Sequence, residues 1–236
     1  MNRGLASVRL LLGGRVDDVR ADLGGGFGRL VAFQLTLILL GAGLYGAAMG
    51  WWRSPLMAAY NFVKFPLVIL ATTMGNALLN GMLAPLLGVD LRFRDSLRLV
   101  LMSCALAAVI LGGFAPLMAF LVWNAPPLRP GEAPPEVVYR FIQLAQVAAV
   151  AFAGVIANVR LFRALESLAG TRRAAGRVLF AWLAGNLFFG SQLCWILRPL
   201  IGSPNLPVQF LRPDALNGNF YETVFHAVAT LLRSMD

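Results

Sequence analysis

The sequence predicts an all-α protein that crosses a membrane five times, and three observations support this fold class. Five apolar stretches, at 30–50, 65–87, 99–123, 141–159 and 178–197, each come close to the about 20 residues that cross a hydrocarbon core. All 11 acidic and 20 basic residues lie outside those stretches. The mean hydropathy of +0.72 and the 58% share of hydrophobic residues exclude an ordinary soluble domain. Five spans use about half of the chain, which leaves no room for a soluble catalytic domain.

The distribution of basic residues predicts the orientation. Arginines are concentrated before the first stretch and in the loops after the second and fourth, whereas the alternate loops carry fewer basic residues. Since Lys and Arg are enriched in cytoplasmic loops, we expect the N-terminus inside and the C-terminus outside. Trp51, Trp52, Trp123 and Trp195 then fall at the outer ends of spans, where amphipathic rings favour the headgroup level.

We divide the chain into three parts. Residues 1–29 form a cytoplasmic segment, and 30–198 form the five-span bundle. In the first part, Leu5, Val8 and Leu12 lie on one face beside arginines, as in a helix on the membrane surface, and a mobile tail is the alternative.

The connection after the first span has a sequence of its own. Ser54-Pro55 is a favourable N-cap and N1 pair. It predicts a short interfacial helix that ends near Lys64, before Pro66 and a separate second span.

The third part, residues 199–236, is called the C-terminal segment below. It mixes prolines with large apolar residues, unlike a disordered tail, and we expect it to fold back on the outer face of the bundle. Asn219 followed by Glu222 is typical of a capping box, so an amphipathic closing helix is expected from there.

Small and polar residues recur at helical spacing in three spans. They are Thr72, Asn76, Asn80 and Ala84 in the second, Gln143, Gln146, Gly154 and Asn158 in the fourth, and Asn186, Gly190 and Cys194 in the fifth. One interpretation is that these faces pack, with amides bonded across the interfaces. The other is a polar path for a neutral solute. Packing is favoured because an amide in lipid needs a partner in either case. Gly46 and Gly50 form a GxxxG pair, a weak indication of dimerisation in so glycine-rich a chain.

Catalysis, redox chemistry and nucleic-acid binding find little support. Cys104, Cys194 and the single His226 are too few for a metal or haem site, so no cofactor is expected. No P-loop, HExxH motif or pair of aspartates within a span is present. Glu222 lies four residues before His226, a spacing that more commonly means a surface pair than an acid–base pair. The net charge of +9 fits loops facing anionic headgroups, and no basic cluster is interleaved with exposed aromatics as nucleic-acid binding requires.

Two parts of the sequence resemble membrane-protein families. The run from Lys64-Phe-Pro through Gly75-Asn-Ala-Leu-Leu-Asn-Gly to Leu87-Gly, followed by Phe93-Arg-Asp-Ser-Leu-Arg-Leu-Val, resembles the bacterial Yip1-like five-span proteins over 55–195. The ending is similar to that of a group of bacterial polytopic membrane proteins, in the runs Gln192-Leu-Cys-Trp-Ile-Leu-Arg-Pro-Leu-Ile-Gly-Ser-Pro, Phe210-Leu-Arg-Pro and Asn219-Phe-Tyr-Glu. Both resemblances imply a non-enzymatic membrane protein, and neither supplies a substrate.

The sequence therefore predicts a non-enzymatic scaffold or accessory subunit that binds membrane proteins or itself. The expected partner surface consists of Trp195, Arg198, Phe210, Arg212 and Tyr221. The alternative is a transporter or channel component for a neutral or lipid-like solute, which would use the polar face of Asn76, Asn80, Gln143, Gln146, Asn158 and Asn186. Nineteen arginines against one lysine, with abundant Ala and Gly, are typical of high-GC coding and favour a bacterial inner membrane.

Overall fold

A computed structural model describes residues 27–86, 93–126, 136–200 and 207–222, and within those ranges the chain is helical without strands. Its five long helices are α1 (Phe27–Trp51), α2 (Pro55–Leu86), α3 (Phe93–Trp123), α4 (Glu136–Ala169) and α5 (Arg172–Ile196). Each is long and apolar enough to cross a membrane. The predicted all-α bundle with five spans is therefore confirmed, while its orientation in the membrane stays a prediction. The proposed surface helix at 1–26 and the closing helix beyond 222 lie outside the described residues.

The helices form a ring with one helix added. Within the described residues, α2, α3, α4 and α5 each contact the next, α5 returns to α2, and α1 packs against α2 and α3. One end of the bundle, called the tryptophan end, holds the ends of α1, α3 and α5 and the starts of α2 and α4. The opposite end, called the arginine end, holds the start of α5 and the end of α4.

Glycines bring α1 onto α2. A Cβ atom at Gly46 would lie 2.5 Å from the carbonyl oxygen of Asn61, and one at Gly50 would lie 2.6 Å from that of Met57. Small residues permit such close approach of helices in membranes. The GxxxG pair thus packs two helices of one chain, so its use is intramolecular.

The contact between α1 and α3 is equally close. A Cβ atom at Gly41 would lie 2.6 Å from the carbonyl carbon of Ala108, and one at Gly112 would lie 3.0 Å from the Cα of Gly41. Buried Ile38 and Ala105 pack beside these positions. No side chain larger than hydrogen fits at Gly41 unless the two helices separate.

The start of α2 differs from the sequence prediction. The predicted short helix and second span are one continuous helix, Pro55–Leu86, in which Ser54 Oγ accepts a hydrogen bond of 3.1 Å from the Met57 N–H as an N-cap does. Pro66 is accommodated inside it, as prolines are in membrane helices where neighbouring groups satisfy the freed carbonyl. Lys64 therefore lies within the candidate span Pro55–Leu79, whereas the sequence analysis placed it in a separate helix before the second span.

The tryptophans of the tryptophan end have two different environments. Trp51 and Trp123 are exposed, as headgroup anchors are expected to be. Trp52 is instead buried, with its ring centroid 5.5 Å from that of Tyr139 and its Nε1 donating to the Pro126 carbonyl over 3.0 Å. Trp52 thus joins α1 to the connection between α3 and α4.

Candidate functional site

Two buried polar side chains of α2 hold the C-terminal segment. Asn61 and Lys64, one helical turn apart, are both 0% exposed. Lys64 Nζ donates to the carbonyl oxygens of Pro199 and Gln209, each over 3.3 Å, and Asn61 Nδ2 donates to that of Leu200. Burial of an amino group is costly unless hydrogen bonds replace its water. These carbonyls supply that replacement, so the site is complete only with the segment in place.

Aromatic contacts close the same site. The Phe210 ring lies under Lys64 Nζ, 5.4 Å from its centroid, in the geometry of a cation–π contact. The edge of the Phe210 ring also meets Tyr60, with centroids 5.5 Å apart. Phe210 therefore contacts both Lys64 and Tyr60 and helps to fix the position of the segment on α2.

A second set of contacts ties the segment to the end of α5. The Arg198 guanidinium stacks 3.8 Å from the Trp195 ring centroid, and Nη1 donates to the Trp195 carbonyl over 2.8 Å. Asp214 accepts ion pairs from Arg198 Nη2 at 3.2 Å and from Arg212 Nε at 3.3 Å. Since the carboxylate is partly exposed, each ion pair contributes about 1 kcal/mol or less. Their main effect is to fix the geometry of residues 212–214.

A third set of contacts lies further along the segment. The Tyr221 ring stacks on Phe188, with centroids 5.6 Å apart, and its hydroxyl lies 2.7 Å from Ser191 Oγ. The Glu222 N–H donates to Asn219 Oδ1 over 2.8 Å, which is the N-cap bond of the predicted capping box. The described part of the segment thus folds back onto α2 and α5, while its placement on the outer side of the membrane stays a prediction.

The residues expected to form the partner surface also make contacts within the chain. Arg198 and Arg212 pair with Asp214, and Arg198 stacks on Trp195. Phe210 and Tyr221 are partly exposed and lie against α2 and α5. Among the described residues of the segment, the most exposed large apolar side chains are Leu216, at 79%, and Leu211, at 51%. Neither leucine was among the residues that the sequence analysis assigned to the partner surface, although their position beyond the last span was an available signal.

The polar faces of α2 and α5 meet inside the bundle. Asn76 Nδ2 donates to Asn186 Oδ1 over 2.7 Å and to the Trp182 carbonyl over 3.0 Å. Gly185 makes room for this pair, because a Cβ atom there would lie 3.2 Å from Asn76 Cγ and would overlap Oδ1. Thr72 faces Gly190 one turn along. The structure thus brings Asn76 and Asn186 together as a helix-packing contact.

The polar face of α4 lies elsewhere. Gln146 is 3% exposed, and its backbone carbonyl accepts a hydrogen bond of 3.3 Å from the Tyr45 hydroxyl of α1. Gln143 is half-buried, and Asn158 Nδ2 donates to the Gly154 carbonyl of its own helix over 2.8 Å. The side chain of Asn80 lies outside the described residues. In the described part of the chain, the α4 amides therefore do not extend the Asn76–Asn186 contact.

The comparisons with known proteins add no relative. The chain matches no protein-family model, no curated protein and no solved structure. The resemblance to Yip1-like proteins therefore stays a prediction. Within the described ranges, no three His, Cys, Asp or Glu side chains converge as metal ligands would.

Proposed function

We propose that this protein is a non-enzymatic scaffold or accessory subunit of an assembly in a bacterial inner membrane. It binds another membrane protein through the anchored C-terminal segment. The observation that carries the proposal is the fixed segment itself. Lys64 and Asn61 of α2 bind its start, and its Tyr221 binds α5. Leu211 and Leu216 stay exposed between these contacts. Exposed apolar side chains on an ordered surface are typical of interaction sites.

The anchoring favours recognition of a partner. A segment that is already ordered loses little conformational freedom when it binds, so more of the contact energy appears as affinity. Leu211 and Leu216 lie beyond the end of α5, separate from the apolar faces that the helices turn toward lipid. Two exposed apolar side chains on an ordered backbone therefore offer a partner apolar surface to bury.

Removal of these two side chains tests the proposal. We expect the double variant Leu211→Ser/Leu216→Ser to lose its stoichiometric co-purifying membrane protein by about tenfold, because both substitutions delete apolar contact area. The quantity measured is that protein's yield after gentle-detergent purification from native membranes. Asn217→Ser, an exposed neighbour, is the matched control. An unchanged yield with the double variant would refute the scaffold role of this surface.

A neutral-solute transporter component is the second candidate, favoured by one observation. Gln146 is buried, yet neither its Nε2 nor its Oε1 has a hydrogen-bond partner within the described residues. A buried amide normally finds partners, and water or a polar solute would provide them. Such a partner at Gln146 would require an opening between α4 and its neighbours.

Water access at Gln146 separates the two candidates. In a background without Cys104 and Cys194, we expect Gln146→Cys to stay unreactive toward membrane-impermeant thiol reagents if the face only packs. Leu216→Cys, at an exposed position, is the positive control. Rapid labelling of Gln146→Cys, slowed by a bound neutral solute, would favour transport over the scaffold.

A further inference from the structure

One face of α5 turns away from the bundle along much of its length. α5 buries the smallest share of its length among the five candidate spans. The exposed residues Arg173, Arg177, Phe180, Ala184 and Leu187 follow one another at intervals of three or four, so they form one row along the helix. The row is basic at the arginine end and apolar beyond it.

The two arginines lack an anionic partner in the described part of the chain. Ion pairs there join Arg198 and Arg212 to Asp214, and neither Arg173 nor Arg177 takes part in one. Both lie in the first two turns of α5, whose first turn contains no acidic residue. The positive end of a helix dipole favours anions, so two guanidinium groups at this place raise the preference for a bound negative charge.

The dimensions of the row match one leaflet of a bilayer. From Arg177 to Leu187 the helix rises about 15 Å at about 1.5 Å per residue. Half of a hydrocarbon core about 30 Å thick is also about 15 Å. A phosphate at Arg177 thus places an acyl chain along Phe180 and Leu187.

We propose that this row is a binding site for an anionic phospholipid. The guanidinium groups of Arg173 and Arg177 bind its phosphate, for which arginine has a matching fork of N–H donors. Phe180, Ala184 and Leu187 contact its acyl chain. The site requires net negative charge and an acyl chain together, which distinguishes it from a site for free phosphate.

Lipid retention by the purified full-length chain tests this site. In native mass spectrometry from detergent, we expect the wild-type protein to retain phosphatidylglycerol in preference to phosphatidylcholine. Arg173→Gln/Arg177→Gln should retain about tenfold less phosphatidylglycerol, since each arginine near a membrane surface contributes appreciably to anionic-lipid binding. Retention of phosphatidylcholine should not change.

Three controls separate specific lipid binding from charge alone and from phosphate binding. Arg129→Gln/Arg140→Gln removes the same charge from the stretch between α3 and α4 and from the start of α4, and should retain phosphatidylglycerol as the wild type does. Arg173→Lys/Arg177→Lys keeps the charge without the fork and should lose only part of the preference. Excess inorganic phosphate should leave the lipid bound. Equal retention by the glutamine variant, an equal loss in the charge-matched control, or displacement by phosphate alone would each overturn the proposal.

Discussion

Replacement of Gly41 by alanine should destabilise the bundle by about 1–3 kcal/mol, because overpacked positions cost energy of this order. The new Cβ atom would lie 2.6 Å from the carbonyl carbon of Ala108, which is backbone and cannot rotate away. The α1–α3 contact must then widen, which also separates buried Ile38 from Ala105. Thermal unfolding in detergent, followed by circular dichroism, measures the loss.

Gly113 provides the matched control for this prediction. It lies on α3 one residue after Gly112, and a Cβ atom there has nothing within 4 Å. Gly113→Ala should therefore be neutral or stabilising by up to about 1 kcal/mol, the difference in helix propensity between the two residues. Equal unfolding temperatures for Gly41→Ala and Gly113→Ala would contradict the close contact of α1 and α3.

Replacement of Lys64 by alanine should release the C-terminal segment while the helices stay assembled. The carbonyls of Pro199 and Gln209 lose their donor, and hydrogen bonds to a charged group contribute about 1.5–3 kcal/mol each. Removal of a buried amino group offsets part of this loss, so we expect a net effect of about 2 kcal/mol, or about thirtyfold in the undocked fraction. Amide hydrogen exchange of residues 207–222 measures that fraction.

Lys64→Met separates hydrogen bonding from packing in this experiment. Methionine keeps most of the aliphatic length but donates no hydrogen bond. It should speed exchange in the segment about as much as alanine does, while the amides of α3 exchange as in the wild type. Fast exchange with alanine alone would assign the anchoring to packing, and unchanged exchange with both would show that Lys64 does not hold the segment.

Local patterns predicted the features that depend on neighbouring residues. The five spans follow from apolar stretches of membrane length, and the N-cap bond follows from Asn219, three positions before Glu222. The fold-back of the C-terminal segment also agrees with its mixture of prolines and large apolar residues. The spans and the N-cap are set by residues close together in the chain, whereas the contacts that hold the fold-back are not.

Contacts between distant residues account for what the sequence could not predict. Lys64 stands at the edge of an apolar stretch, where a hydropathy pattern treats it as part of a loop. The carbonyl of Pro199 that satisfies it lies 135 positions later. The polar rows lie on the helices predicted for them, but their pairing depends on distant residues. Asn76 bonds to Asn186, which lies 110 positions later, while the backbone of Gln146 bonds to Tyr45 of α1.

Asn61 contacts both the first helix and the segment that follows the last helix. Its backbone lies against Gly46 of the first helix, and its side chain bonds to Leu200, beyond the last. The chain is synthesised from its N-terminus, so α1 and α2 leave the ribosome before residue 200 does. The described part of the C-terminal segment can dock in this way only where the α1–α2 pair and α5 have come together. A docked segment thus reports that α1, α2 and α5 have assembled, and the proposed partner surface would be presented only by an assembled bundle.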